Sequence, residues 1–266
     1  MTSLVANINE NTVPKPTHRI IGFWLIMLCA MVFLMVIIGG LTRLTGSGLS
    51  MVTWRPITGW LPPLNSIEWK EVFVLYQNSP EYKKVNLGMT LESFKSIFWL
   101  EYLHRLWGRM IGVVFFIPLI YFFLKGWVRG ALALQLVLIA LLGLAQGFMG
   151  WFMVQSGLTE KPEVSQYRLA AHLGLAILIY AYMFWVSLGQ FYDRSQINSL
   201  FNLRLKRLTF VLIVSICLTM VAGSLVAGLD AGLTYNSYPL MDGKFIPDGL
   251  FQMSPFYMNF SDIESH

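Results

Sequence analysis

Cysteine and charge are both scarce in this chain of 266 residues. The only two cysteines, Cys29 and Cys217, each lie inside a hydrophobic run, so no disulfide is expected to hold a loop. Charged residues make up 12% against 56% hydrophobic, with mean hydropathy +0.59, a balance that excludes an ordinary soluble domain and calls for several membrane spans. The net charge of +5 is scattered over loops and helix ends and forms no basic stripe, which argues against a nucleic-acid partner. No A-x-A-like cleavage site follows the first apolar run, which ends in Gly39-Gly40 and therefore reads as an anchor, not a signal peptide. The leader Met1 to His18 also lacks the Arg-rich amphipathic pattern of an organelle transit sequence, and this favours a bacterial inner membrane.

What is present is a set of five apolar runs, each long enough for a hydrocarbon layer of about 30 Å. They predict helices at about Ile20 to Leu41, Ile97 to Leu124, Ala131 to Val154, Arg168 to Gln190 and Leu208 to Ala227. An all-α polytopic membrane bundle follows. Lys15, Arg19, Lys125, Arg129, Arg194, Arg204, Lys206 and Arg207 fall on one side, and this places the N-terminus in the cytoplasm. The segment Thr42 to Pro63, rich in Gly, Pro, Thr and Trp, reads either as a turn with an aromatic anchor or as a ligand-binding lid carrying Arg43 and Arg55. Asn65 to Lys95 reads as a small external subdomain of short helices.

The stretch EYLHRLWGR, Glu101 to Arg109, sets an acid, an imidazole and two guanidinium groups into the start of the second span. Ionisable groups inside a span are costly unless paired, so they mark functional sites by default. Glu101, His104, Gly108 and Gly112 share one helical face. The fourth helix carries His172 among Ala171, Gly174 and Ala176. Because the second and fourth helices run inwards from the same side, His104 and His172 are expected at similar depth on neighbouring helices. Two such imidazoles suit axial ligation of a haem iron, with small residues leaving room for the macrocycle. Taken singly, either histidine is equally well an interfacial residue. Gly143, Gly147 and Gly150 in the third helix read as packing positions, and Gln146 among them as a partner for neighbouring backbone.

Laying Gly39 to Pro63 over Gly223 to Pro247, a shift of 184, pairs Gly39/Gly223, Leu41/Leu225, Gly48/Gly232, Leu49/Leu233, Gly59/Gly243 and Pro63/Pro247 as identities and sets Trp54 over Tyr238. This register indicates a duplicated bundle. Counterparts of Glu101 and His104 would fall beyond residue 266, so the expectation is a fragment, a split-gene product or a shortened variant.

The motifs GGLTRLTGSGLS, EYLHRLWGR and RLAAHLGLA resemble the haem A synthase family, over about Gly22 to Ile246. The lack of paired loop cysteines is similar to the branch found in alphaproteobacteria and mitochondria. The resemblance implies an eight-helix architecture of two pseudo-symmetric halves, each with a histidine pair, and oxidation of the C8 methyl group of haem O to the formyl group of haem A by successive hydroxylations. It implies His104 and His172 as haem-iron ligands of the first half and Glu101 as the catalytic acid. Haem b belongs with the second half, whose histidines are absent here. Arg43, Arg105 and Arg109 are candidates for the haem propionates, or equally for interface snorkelling.

The implied organisation is a cytoplasmic leader at 1–19, a haem-handling four-helix bundle at 20–192 with an external loop at 42–96, a cytoplasmic loop at 193–207, and the first helix and outer loop of an incomplete second bundle at 208–266. The implied partners are the lipid bilayer, haem O, haem O synthase, cytochrome oxidase assembly and a second copy of the chain. A non-enzymatic b-type cytochrome and an inactive remnant are the competing readings.

Overall fold

The computed structural model describes residues 16–159, 162–192 and 203–229, with scattered positions between 237 and 256. Lys15, Arg194, Gly232, Leu233, Tyr238 and Pro247 of the sequence reading lie outside the described residues. Seven helices are present among the described residues: α1 (Pro16–Leu44), α2 (Ser66–Gln77), α3 (Pro80–Lys84), α4 (Leu91–Leu124), α5 (Gly130–Gly157), α6 (Gln166–Leu188) and α7 (Leu203–Gly228). All but α2 and α3 are long and apolar enough to cross a membrane, giving five spans. The protein is a multi-pass helical membrane bundle.

Helix α4 starts six residues before the apolar run that announces it, because Thr90 caps it: the Thr90 hydroxyl accepts from the Ser93 N–H. The helix is thus 34 residues long and its first turns precede the apolar run. There they meet α2 and α3 in a small external cap. Asn65 and Glu68 form a reciprocal N-terminal cap on α2, and Ser79 with Pro80 starts α3. Tyr76, Phe94, Phe98 and Tyr102 make the buried core of this cap.

Pro118 lies inside α4, where its missing N–H frees the carbonyl of Val114 one turn earlier. The Trp24 indole of α1 donates to that carbonyl at 2.8 Å, so the break is repaired by a neighbouring helix. At the end of α4, Gly126 takes a left-handed φ of 67°, and the Gly126 and Trp127 N–H groups close on Phe123 and Phe122 carbonyls to turn the chain into α5.

In the bundle α1 packs extensively on both α4 and α6, α5 packs on α6, and the α4–α5 seam is sparse. Helix α7 packs on the far side of α6. The helices bearing the two histidines therefore each pack on α1 and share no substantial seam with each other, unlike the sequence expectation. The main core is concentrated at the end away from the cap, where Ile21, Trp24, Leu25 and Leu28 of α1 meet Phe115 and Phe122 of α4, Leu136 of α5 and Val186 of α6. The cap end of the bundle is built from glycines instead.

Candidate haem site at the cap end of the bundle

A β-carbon placed on Gly39 of α1 would stand 3.2 Å from His104 Nε2, and one on Gly150 of α5 would stand 3.0 Å from His172 Cε1. Each imidazole thus lies against a glycine backbone. Around them, a β-carbon at Gly112 of α4, Gly143 or Gly147 of α5, or Gly174 of α6 would have nothing within 4 Å. The two rings are half-buried. His172 Nδ1 is buried without a partner, and Gln146 Nε2 lies 3.5 Å from His172 Nε2 while donating to the His172 carbonyl at 3.1 Å.

Glu101 is 2% exposed, and both of its oxygens are engaged. Oε2 accepts from Ser50 Oγ at 2.6 Å and from the Met51 N–H at 2.7 Å, and Oε1 accepts from Arg105 Nη2 at 2.5 Å. Such charge-assisted bonds offset the cost of burying the carboxylate. Arg105 also donates to the Met51 and Thr53 carbonyls, and its guanidinium sits 5.6 Å from the centre of the Trp54 ring. One ion pair therefore fastens the segment between α1 and α2 over the start of α4.

Arg109 extends this fastening, donating to the Arg55 carbonyl at 2.8 Å and the Pro56 carbonyl at 3.2 Å. Its Nη1 is buried and has no partner. Gly59 makes the close approach possible, since a β-carbon there would stand 2.5 Å from Arg109 Nη2. Arg105 and Arg109 line a cavity of about 220 Å³ together with Ser50, Arg55, Glu68 and Glu71. Arg43 lies elsewhere. It sits in the last turn of α1, not in the following loop, and donates to the Ala227 and Gly228 carbonyls at the end of α7.

The structure thus brings Glu101, Arg105 and Arg109 into one cluster under the external cap and sets His104 against Gly39 and His172 against Gly150, with Arg43 apart. These residues fit a flat, iron-centred ligand: two imidazoles, open glycine surfaces between helices, and an orphaned guanidinium N–H on the cap side. Sequence reasoning did not find Ser50 and Met51 as partners of Glu101, because they lie about 50 residues away. Gln146 was noticed only as a backbone partner, although its place between Gly143, Gly147 and Gly150 puts it near the face that meets His172.

Residues 22–266 match the COX15-CtaA family, described as cytochrome oxidase assembly proteins. The chain is 50% identical to the heme A synthase of Nitrosospira multiformis, over 96% of this chain and 74% of that protein. It is 48% identical to the heme A synthase of Nitrosomonas eutropha, again over 96% of this chain and 74% of that protein. With the heme A synthase of Paramagnetospirillum magneticum it shares 47% identity over 100% of this chain and 75% of that protein. No solved structure matches. A family match across all five spans and identities near one half place the chain in the cytochrome oxidase assembly protein family.

Proposed function

We propose that the chain acts as a haem A synthase of the bacterial inner membrane, oxidising the C8 methyl group of haem O to a formyl group by successive hydroxylations. The observation that carries this reading is the pair His104 and His172, each seated against a glycine backbone, Gly39 and Gly150. In this reading the two imidazoles hold the haem iron of the substrate. The iron and its macrocycle would carry the redox chemistry, with an external acceptor taking the electrons removed, and the protein would supply ligands, orientation and an acid-base group.

Glu101, one helical turn before His104, is the group we assign to proton handling. Ser50 Oγ at 2.6 Å gives it a polar hydrogen on the cap side, and Arg105 holds its charge. Arg109 suits a haem propionate, because its buried Nη1 still lacks an acceptor. Arg105 is committed to Glu101 and loop carbonyls, and Arg43 to the end of α7, so both contribute less directly. Haem b is the further cofactor we expect for full turnover.

The N-terminus is assigned to the cytoplasm from the placement of basic residues, which sets the cap and Glu101 on the outer side. We assign α1 and α4–α6 to a first four-helix unit and α7 to the start of a second. The hydrogen bond from Arg43 to Ala227 supports this, since it joins two positions separated by the repeat shift of 184. Haem O synthase, cytochrome oxidase assembly and a second copy of the chain are the proposed partners.

The test is to express the chain in cells supplied with haem O and to identify the extracted haems by chromatography and mass. Haem A or its hydroxylated precursor is the expected product, and haem O alone in every extract would sink the assignment. His104→Ala and His172→Ala are each expected to abolish product, and unaltered yield from either removes it as a ligand.

A further inference from the structure

We propose that Gln146 is a specificity residue whose amide oxygen accepts a hydrogen bond from an alcohol group on the rim of the bound haem. The inference rests on the reading that His104 and His172 hold a haem. The orientation of the amide is fixed by its neighbour: Nε2 donates to the His172 carbonyl at 3.1 Å, and turning the amide over would set two acceptor oxygens against each other. Oε1 therefore points away from that carbonyl. It is buried and has no hydrogen-bond partner, a state that costs free energy until a donor arrives.

Open backbone lies beside Gln146 on its own helix. Gly143 and Gly147 flank Gln146 on α5, and a β-carbon on either would meet nothing within 4 Å. The amide is also within 3.5 Å of the His172 ring, so a ligand held by that ring comes close to it.

The chemistry of haem then narrows the donor. The pyrrole nitrogens of an iron porphyrin carry no hydrogen, ionised propionates only accept, and methyl and vinyl groups do neither. An alcohol is the one rim substituent that donates. Haem b has none. Haem O carries a secondary alcohol where its isoprenoid chain joins the ring, and the first hydroxylation of the C8 methyl group creates a primary alcohol. Either would satisfy Oε1, and a side chain that recognises it separates these haems from haem b at a site whose iron ligands are the same for all.

The experiment titrates the purified full chain in detergent with haem b, haem O and the C8-hydroxymethyl derivative of haem O, following the Soret band. Wild type is compared with Gln146→Leu and with Gln146→Met, which keeps the length of the side chain. Haem b is expected to bind the variants within about twofold of wild type with an unchanged spectrum, while an alcohol-bearing haem loses about tenfold, the size of one unmade hydrogen bond. Weakening of both haem O and its hydroxymethyl derivative identifies the alcohol beside the isoprenoid chain; weakening of the derivative alone identifies the C8 alcohol. Equal loss for all three haems, or loss for none, overturns the proposal while leaving the haem site standing. A wild-type chain that binds none of the three overturns both.

Discussion

A β-carbon at position 150 would stand 3.0 Å from His172 Cε1, closer than side chains normally pack, and the contact is with a ring that has little freedom to yield. Gly150→Val is therefore expected to displace His172 and to lower haem affinity by at least about tenfold, the equivalent of ~1.4 kcal/mol. Gly39→Val should act likewise through His104, at 3.2 Å. The control is Gly40→Ala, one residue along α1, where nothing lies within 4 Å and where alanine suits a helix better than glycine. Soret titration of the three variants checks the set, and an equal loss at Gly40 would show that any side chain added to this part of α1, and not the seat of the imidazole, lowers affinity. The histidines themselves were legible in the sequence, since an ionisable group in an apolar run stands out. Their glycine seats were not, because which glycine meets which ring is decided by how α1, α4, α5 and α6 cross.

Between elements, two buried polar arrangements each make a prediction. The Trp24 indole satisfies the Val114 carbonyl that Pro118 leaves open, so Trp24→Phe keeps an aromatic ring but strands an acceptor in an apolar setting. A loss of about 1–3 kcal/mol in unfolding free energy is expected, with recovery in the double variant Trp24→Phe, Pro118→Ala, where the helix closes its own bond. Neither the break at Pro118 nor its repair by a residue 90 positions earlier was anticipated from the sequence.

The external cap holds the second arrangement. Glu81 of α3 is 7% exposed, and one of its oxygens is buried without a partner. Burial pushes its carboxyl up from 4.5 to about 7, against the bond to Tyr76, which lowers it, and with the charge of Glu101, which raises it further. A raised carboxyl binds its proton more tightly in the folded cap than in the unfolded chain. Below about pH 4.5 both states are protonated and Glu81 contributes nothing. As pH rises from there to about 7 the folded cap loses stability, and above 7 the full penalty remains, on the order of 3 kcal/mol from the size of the shift. Hydrogen exchange in α2 and α3 is expected to quicken over that window, and Glu81→Gln should flatten the profile and protect the cap most at pH 8. A profile unchanged by the substitution would rule Glu81 out as its source.

At the scale of the whole molecule, the five spans were legible because apolar runs of the right length have few other uses. The arrangement of the spans around one another was not legible. It depends on close backbone contacts such as that of Gly228 of α7, where a β-carbon would stand 2.6 Å from the Gln166 α-carbon at the start of α6. Here the obstacle is backbone, which cannot step aside as a flexible side chain can, so Gly228→Leu must push α7 off α6. Arg43 adds a second tie at the same place by bonding the last carbonyls of α7, where a positive charge also suits the helix end. Gly228→Leu is therefore expected to lower the thermal unfolding midpoint of the chain in detergent by several degrees, and Arg43→Met by less. Gly223→Leu, on the same helix but with nothing within 4 Å, should leave it unchanged. If haem binding at His104 and His172 survives in the Gly228→Leu chain despite its lower midpoint, then the four helices α1 and α4–α6 form the site on their own and α7 serves to join them to what packs beyond it. Loss of binding together with α7 would instead make the fifth span part of the site's own frame, acting through α6, the helix that carries His172.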